Sequence, residues 1–206
     1  MSEEKKVLEQ YKEGPEAFKT SRTEIATLKY YWQISPLSGL KSKNIPRFLR
    51  KIEVFKNFND SELKTLSRFM HERVYNAGEQ VFEEGDSGFG FYLIYSGGIE
   101  LFSKNPATNE NELITSYGEY DYFGELALLE RRNRRNASAI CSSSSTLLTL
   151  YTPDLEELIE KHPIVGARFI QAVGFVISQR FIKLSEDFKL LHNKVCNEQP
   201  SEENEN

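Results

Sequence analysis

The hydrophobic positions of this chain change their period twice. From Ile45 onward, Phe48, Leu49, Ile52, Phe55 and Phe58 recur at roughly helical spacing and predict a short helix and a turn. Asp60 is a good N-cap for a second helix, with Leu63, Leu66 and Phe69 following along one face. Between about residues 73 and 151 the pattern becomes alternating and β-branched, broken by Gly, Asn and Ser, and predicts about eight short strands. Among the breaks, Asn105 to Asn111 reads as an exposed hairpin loop. The helical period then returns. Thr152 or Asp154 can cap a helix reaching about Lys161, and Pro163 suits the first turn of a longer one. Along that helix Ile170, Gly174, Ile177, Phe181, Leu184, Phe188, Leu191 and Val195 alternate in steps of four and three, a seam of the coiled-coil kind. Short strands set between helices predict an α+β chain: a β jelly-roll or barrel with flanking N-terminal helices and a long C-terminal helix.

Four segments follow from this pattern. Residues 1–44 are a helix-prone N-terminal arm, broken at Gly14-Pro15 and from Pro36 to Gly39, with an apolar patch at Tyr30, Tyr31, Trp32 and Ile34. Residues 45–162 are the β-barrel domain. Residues 163–196 are the long helix, whose seam predicts a parallel homodimer. Residues 197–206 are acidic and expected to be disordered. The 206 residues are 39% hydrophobic and 12% aromatic, enough for a packed core. No apolar run approaches the roughly 20 residues of a membrane span, and MSEEKK lacks a signal-peptide core, so a cytoplasmic protein is expected. The net charge of -5 argues against a dedicated nucleic-acid binder. Lys41, Lys43, Arg47, Arg50 and Lys51 make a basic stretch, which on a helix is ordinarily a solvated face. Cys141 reads as a core residue, and the two cysteines and three histidines have no metal-type spacing.

Chemistry concentrates in one stretch, Phe123 to Leu129 (FGELALL), followed by Arg131 to Ser138 (RRNRRNAS). Gly124 lets backbone come close to a ligand. Glu125 can accept hydrogen bonds from a sugar hydroxyl. Leu126 to Leu129 can form a short helix whose first N–H groups face an anion. An arginine about ten residues on adds a planar fork of donors. Together they describe a cradle for a ribose phosphate.

These residues resemble the phosphate-binding cassette of the cyclic nucleotide-binding domain, a family that includes the catabolite activator protein and the regulatory subunits of cyclic AMP-dependent protein kinase. The family pattern, F-G-E-L-A-L, a short loop, then R-x-A-[ST], stands here as FGELAL and Arg135-Asn136-Ala137-Ser138. Upstream, Ala77 to Phe82, Gly85-Asp86 and Phe91 to Gly97 follow the family's spacing, so the resemblance runs over about residues 46–180. It implies an eight-stranded barrel and a role for each cassette residue. Glu125 would take the ribose 2'-hydroxyl, and Arg135 the cyclic phosphate, with Arg134 as the competing register. Backbone N–H groups at Leu126, Ala127 and Ala137 would complete the phosphate cage. Ile114 and Thr115 match positions that pack the base. Tyr122 and Phe123 are expected in the core. Positions from which the activator's long helix contacts adenine fall at about Val176, Arg180 and Phe181, where Arg180 could stack on a purine.

The chain departs from the family pattern at three places. Tyr120 replaces the second glycine of the usual G-x-G-D turn, Asn136 follows the arginine where threonine often accompanies cyclic GMP, and the Thr-Ser pair that goes with cyclic AMP is missing from the long helix. The ligand expected is cyclic AMP, with cyclic GMP less favoured, and no cofactor or metal is implied. No enzymatic constellation is visible. The expected function is a stand-alone receptor that relays nucleotide binding to an unidentified effector protein. The alternative is a protein-interaction scaffold that keeps the fold with a lost or altered ligand.

Overall fold

Eight strands lie between two helical segments in a computed structural model that describes residues 44–129 and 134–198. Helix α1 (Ile45–Leu49), a 3-10 turn (Glu53–Phe55) and α2 (Asp60–Ser67) come first. The strands are β1 (His71–Tyr75), β2 (Gln80–Phe82), β3 (Gly90–Ser96), β4 (Ile99–Lys104), β5 (Asn111–Tyr117), β6 (Tyr122–Phe123), β7 (Ser138–Cys141) and β8 (Ser145–Tyr151), with the short α3 (Leu126–Leu129) after β6. Helices α4 (Thr152–Lys161) and α5 (Pro163–Glu198) follow. The N-terminal arm and the final acidic residues expected from the sequence lie outside the described residues, apart from the end of α5.

The strands pair within two antiparallel sheets, ordered β1-β8-β3-β6 and β2-β7-β4-β5. The jelly-roll expectation holds as two four-stranded sheets rather than one barrel closed by hydrogen bonds. Strand β3 shows how the layers stack, because every residue from Gly90 to Ile94 is buried. Tyr92 and Ile94 point toward the second sheet and join Val81, Phe82, Ile99, Phe123, Ala139, Cys141 and Leu147. Phe91 and Leu93 point the other way, onto Leu49, Phe55, Leu66 and Phe169 of the helices. A strand covered on both faces must be apolar throughout, which is why this stretch reads FYLI instead of alternating. Cys141 is fully buried, and burial pushes its thiol up to about 11, so it is packing rather than chemistry.

Two helix caps differ from the sequence expectation. The N-cap of α2 is Asn59, not Asp60: its side chain accepts the Glu62 N–H at 3.0 Å while the Glu62 carboxylate accepts the Asn59 N–H at 2.8 Å. Asp60 is the first helical residue and pairs with Arg50 at 2.6 Å. The N-cap of α4 is Tyr151, because β8 runs straight into the helix. Thr152 therefore lies inside the first turn and donates its hydroxyl to the Phe89 carbonyl at 3.3 Å, and the Asp154 carboxylate accepts the Tyr151 N–H at 3.4 Å. Of the basic stretch, Lys41 and Lys43 lie outside the described residues, and Arg47 and Lys51 are exposed, as on a solvated face. Arg50 donates to the carbonyls of Lys56 and Phe58, and Lys51 turns toward Tyr120.

Helix α5 is anchored by its first half. Val165, Phe169, Ala172, Val173 and Val176 are buried. Arg168 holds both oxygens of Glu62 at 2.6 Å and donates to the Asn57 carbonyl at 2.9 Å, tying α5 to α2. The Arg168 hydrogen bond holds the Glu62 carboxyl below its ordinary value, against an opposing push from burial, with help from the Asn59 N–H. A carboxyl lowered on folding adds stability above its unfolded value near 4.5 and loses it as pH falls through the lower folded value. Glu62→Gln is therefore expected to flatten the acid limb of a Tm-against-pH curve below about pH 4.5. An acid limb as steep as that of the wild type would remove Glu62 from the account.

Candidate functional site

The cassette folds as a turn, one helical turn and a returning arginine. Gly124 has a φ of +77°, which a side chain rarely adopts. A Cβ there would stand 2.8 Å from Arg135 Nη1 and 2.9 Å from the Gly90 carbonyl oxygen. Glycine is thus required for both conformation and space. Arg135 is only 5% exposed. Its Nη1 donates to the Gly90 carbonyl at 3.1 Å and the Gly124 carbonyl at 3.4 Å, and its guanidinium lies 4.0 Å from the Phe82 ring centre. The backbone is clamped as well: the Arg135 N–H donates to the Asp86 carbonyl and the Gly85 N–H donates to the Arg135 carbonyl, both at 2.8 Å. Gly85-Asp86 therefore sets where Arg135 enters the site. Arg134 is exposed and donates to the Gly85 carbonyl at 2.8 Å, away from Gly124. Arg131 and Arg132 lie outside the described residues.

Glu125 is 4% exposed and does not stand alone. Arg180, reaching over from α5, donates to Glu125 Oε2 at 2.7 Å and to the Tyr122 carbonyl at 2.8 Å. Its guanidinium sits 5.5 Å from the Tyr117 ring centre and 5.6 Å from that of Tyr122. Arg180, expected from the sequence to stack on a purine, is here engaged in an ion pair with Glu125, the carboxylate expected at the ribose. Burial pushes the Tyr117 and Tyr122 phenols up, with Arg180 pulling the other way. Removing Arg180 would leave the buried Glu125 carboxylate without its ion-pair partner, which is costly.

Beside this pair a cleft of about 670 Å³ opens between β5, β6 and α5. Ile114 and Thr115, expected from the sequence beside the base, line it together with Tyr117, Tyr122, Lys183, Leu184 and Asp187. Ile114 is 56% exposed at the sheet edge. Of the helix positions expected near adenine, Val176 is buried and Phe181 is 69% exposed, and neither lines the cleft. Lys183, Leu184 and Asp187 do, because steps of three, four and seven from Arg180 stay on one helical face. Phe123 is core as expected, whereas Tyr122 is shared between core and cleft. The Ala127 N–H donates back to the Gly124 carbonyl at 3.2 Å, so the α3 turn is closed from within. Directly after Arg135, Asn136 is exposed and Ala137 buried.

A family model, the cyclic nucleotide-binding domain, matches residues 72–162, which include every cassette residue described above. Residues 72–162 are a cyclic nucleotide-binding domain. The cyclic AMP receptor protein of Thermus thermophilus is 31% identical over 113 residues, 55% of this chain and 51% of that protein. A cGMP-dependent protein kinase of Drosophila melanogaster, isozyme 2, is 31% identical over 97 residues, 47% of this chain and 10% of the kinase. The crystal structure of the Thermus thermophilus catabolite activator protein matches with a TM-score of 0.60 at 26% identity, covering 68% of this chain and 62% of that one. The chain spans about half the length of the bacterial relative and a tenth of the kinase, so the likeness is one of domains. Among the described residues of this cyclic nucleotide-binding domain and its helices, no helix is long and apolar enough to cross a membrane.

Proposed function

We propose that this chain is a cyclic nucleotide receptor, with cyclic AMP preferred over cyclic GMP, that relays occupancy to a partner protein through α5. The observation that carries it is that, in a cyclic nucleotide-binding domain, buried Arg135 donates to the carbonyl of Gly124, while the carboxylate of the next residue, Glu125, is linked to α5 through Arg180. Arg135 would bind the cyclic phosphate. With Glu125 Oε2 held by Arg180, Oε1 would take the ribose 2'-hydroxyl, and the base would enter the cleft against Ile114 and Thr115. A ligand that draws on Glu125 changes what Arg180 can hold, and such a contact shifts α5 only as far as its affinity differs between the two arrangements. The functional unit is taken as residues 45–162, since α1 and α2 pack on the first sheet, with 163–196 as the relay.

The outward half of α5 supports a homodimer. Phe181 and Phe188 are 69% and 67% exposed, with Leu184 and Leu191 on the same seam. Phe188→Glu places a charge on that seam and is expected to give a monomer by light scattering. A dimer of unchanged mass would place the interface elsewhere.

A second reading is supported by the same ion pair. Because Arg180 already satisfies Glu125, the chain could serve as a scaffold that needs no nucleotide. A thermal-shift titration with cyclic AMP, cyclic GMP and linear AMP separates the two. A receptor gains about 2.7 kcal/mol at a hundredfold excess of ligand over its Kd, saturably and with a cyclic nucleotide only. No shift up to millimolar ligand sinks the receptor reading and leaves the scaffold.

A further inference from the structure

The turn that feeds the cassette is held by a residue that does not suit it. Gly118 to Asp121 form a turn closed by the Asp121 N–H to the Gly118 carbonyl at 3.0 Å, and its third residue, Tyr120, has a φ of +73°. Type II turns reserve that position for glycine or asparagine, because any larger side chain is crowded there. The contacts that hold Tyr120 come from α1 and the residues after it. Its ring stacks on Phe48 with centroids 5.3 Å apart and planes at 27°. Its hydroxyl accepts from Lys51 Nζ at 2.8 Å. On the other side the turn is stitched to β3: the Tyr120 N–H donates to the Ile94 carbonyl at 3.0 Å, and the Ile94 N–H to the Asp121 carbonyl at 2.9 Å. Directly after Asp121 come Tyr122, which accepts from Arg180, then Phe123, Gly124 and Glu125.

We propose that Tyr120 is a positioning residue that makes the docking of α1 and the geometry of the cassette entry a single cooperative event. With glycine, the left-handed conformation would cost nothing, and the turn would be indifferent to α1. With tyrosine, the turn keeps that conformation only while Phe48 and Lys51 hold the ring. Released from them, the residue relaxes toward negative φ, and the Asp121 carbonyl bond to Ile94 is disturbed with it. Coupling of this kind is reciprocal, so whatever fixes the cassette also tightens α1. Lys51, Tyr120, Tyr122 and Arg180 line the same cleft, which puts the latch on the wall of the candidate nucleotide site. The chain leading into α1 thereby becomes a second output beside α5. The link to nucleotide rests on the receptor function proposed above, whereas the link between α1 and the turn does not.

Amide hydrogen exchange on the full chain tests the latch first without nucleotide. Tyr120→Gly should speed exchange at residues 45–51, and Lys51→Met should speed it at residues 118–123. Each change is expected on the order of fivefold, the equivalent of about 1 kcal/mol. Phe48→Ala should act on 118–123 in the same direction, and Lys51→Met serves where that core variant folds poorly. Exchange at 118–123 unchanged in every folded α1 variant overturns the proposal. Tyr120→Gly should also melt above Tyr120→Ala, because alanine keeps the strain and loses the latch; the opposite order overturns the strain argument. With saturating cyclic AMP or cyclic GMP, residues 45–51 should gain protection in the wild type and much less in Tyr120→Gly. Equal gains in both overturn the coupling. If no nucleotide stabilises the wild type at all, the receptor function fails, and the exchange result without nucleotide decides the latch alone.

Discussion

Arg135→Ala is expected to abolish most nucleotide-induced stabilisation. As the proposed phosphate ligand, the side chain would supply a charge-assisted contact worth roughly 1.5–3 kcal/mol, so the Kd should rise about 10- to 150-fold. Its burial adds a second effect. The guanidinium fills the space between Phe82 and Tyr92 and ties Gly90 to Gly124, so its removal also loosens the site it occupies. Titration calorimetry at a temperature well below the variant's Tm separates lost affinity from lost fold. Arg134→Ala is the matched control, because Arg134 is exposed and bonded to Gly85. Equal loss of affinity in both variants would dismiss the assignment of the phosphate to Arg135.

The second large effect is expected at Gly124. Alanine there must adopt a left-handed φ, which costs roughly 1–2 kcal/mol, and must also displace the Gly90 carbonyl. Backbone of a buried central strand cannot give way cheaply, so about 2–3 kcal/mol in total is expected, a Tm lower by roughly 5–10 °C. Gly85→Ala separates the two contributions. Gly85 has a similar φ of +82° but open space where its Cβ would be, so it should show the conformational cost alone. If Gly124→Ala were no worse than Gly85→Ala, the close approach around Arg135 would carry no weight.

Most of the architecture was legible because it is local. Alternation and turn residues located the strands, and Pro163 marked the start of α5. The α2 cap was misplaced by one residue because Asn59 and Asp60 are both good caps. Glu62, three residues after Asn59, was the signal that would have chosen between them. The cassette was readable for the same reason of locality, since Gly124, Glu125 and Arg135 lie within one short stretch. The Glu125–Arg180 pair was not, because it joins residues 55 apart through the packing of α5 on the sheets. Tyr117, Lys183, Leu184 and Asp187 were missed likewise: their meeting depends on how a helix is turned about its axis, which spacing alone does not define. Tyr120 was flagged as a misfit, and its partners Phe48 and Lys51 emerged only with the fold.

The length of α5 gives the contact at Arg180 a mechanical gain. Arg180 sits near the point where the helix leaves the sheets, and Glu198 closes the helix eighteen residues later. At about 1.5 Å per residue that arm is roughly 27 Å long. A tilt of about 10° at Arg180, which needs a shift of only an ångström or so in the guanidinium, swings the far end through about 5 Å, one full helical turn. On the proposed receptor function, a hydroxyl bound to the carboxylate that Arg180 holds would thereby be converted into a stroke large enough to change which side chains a neighbour meets.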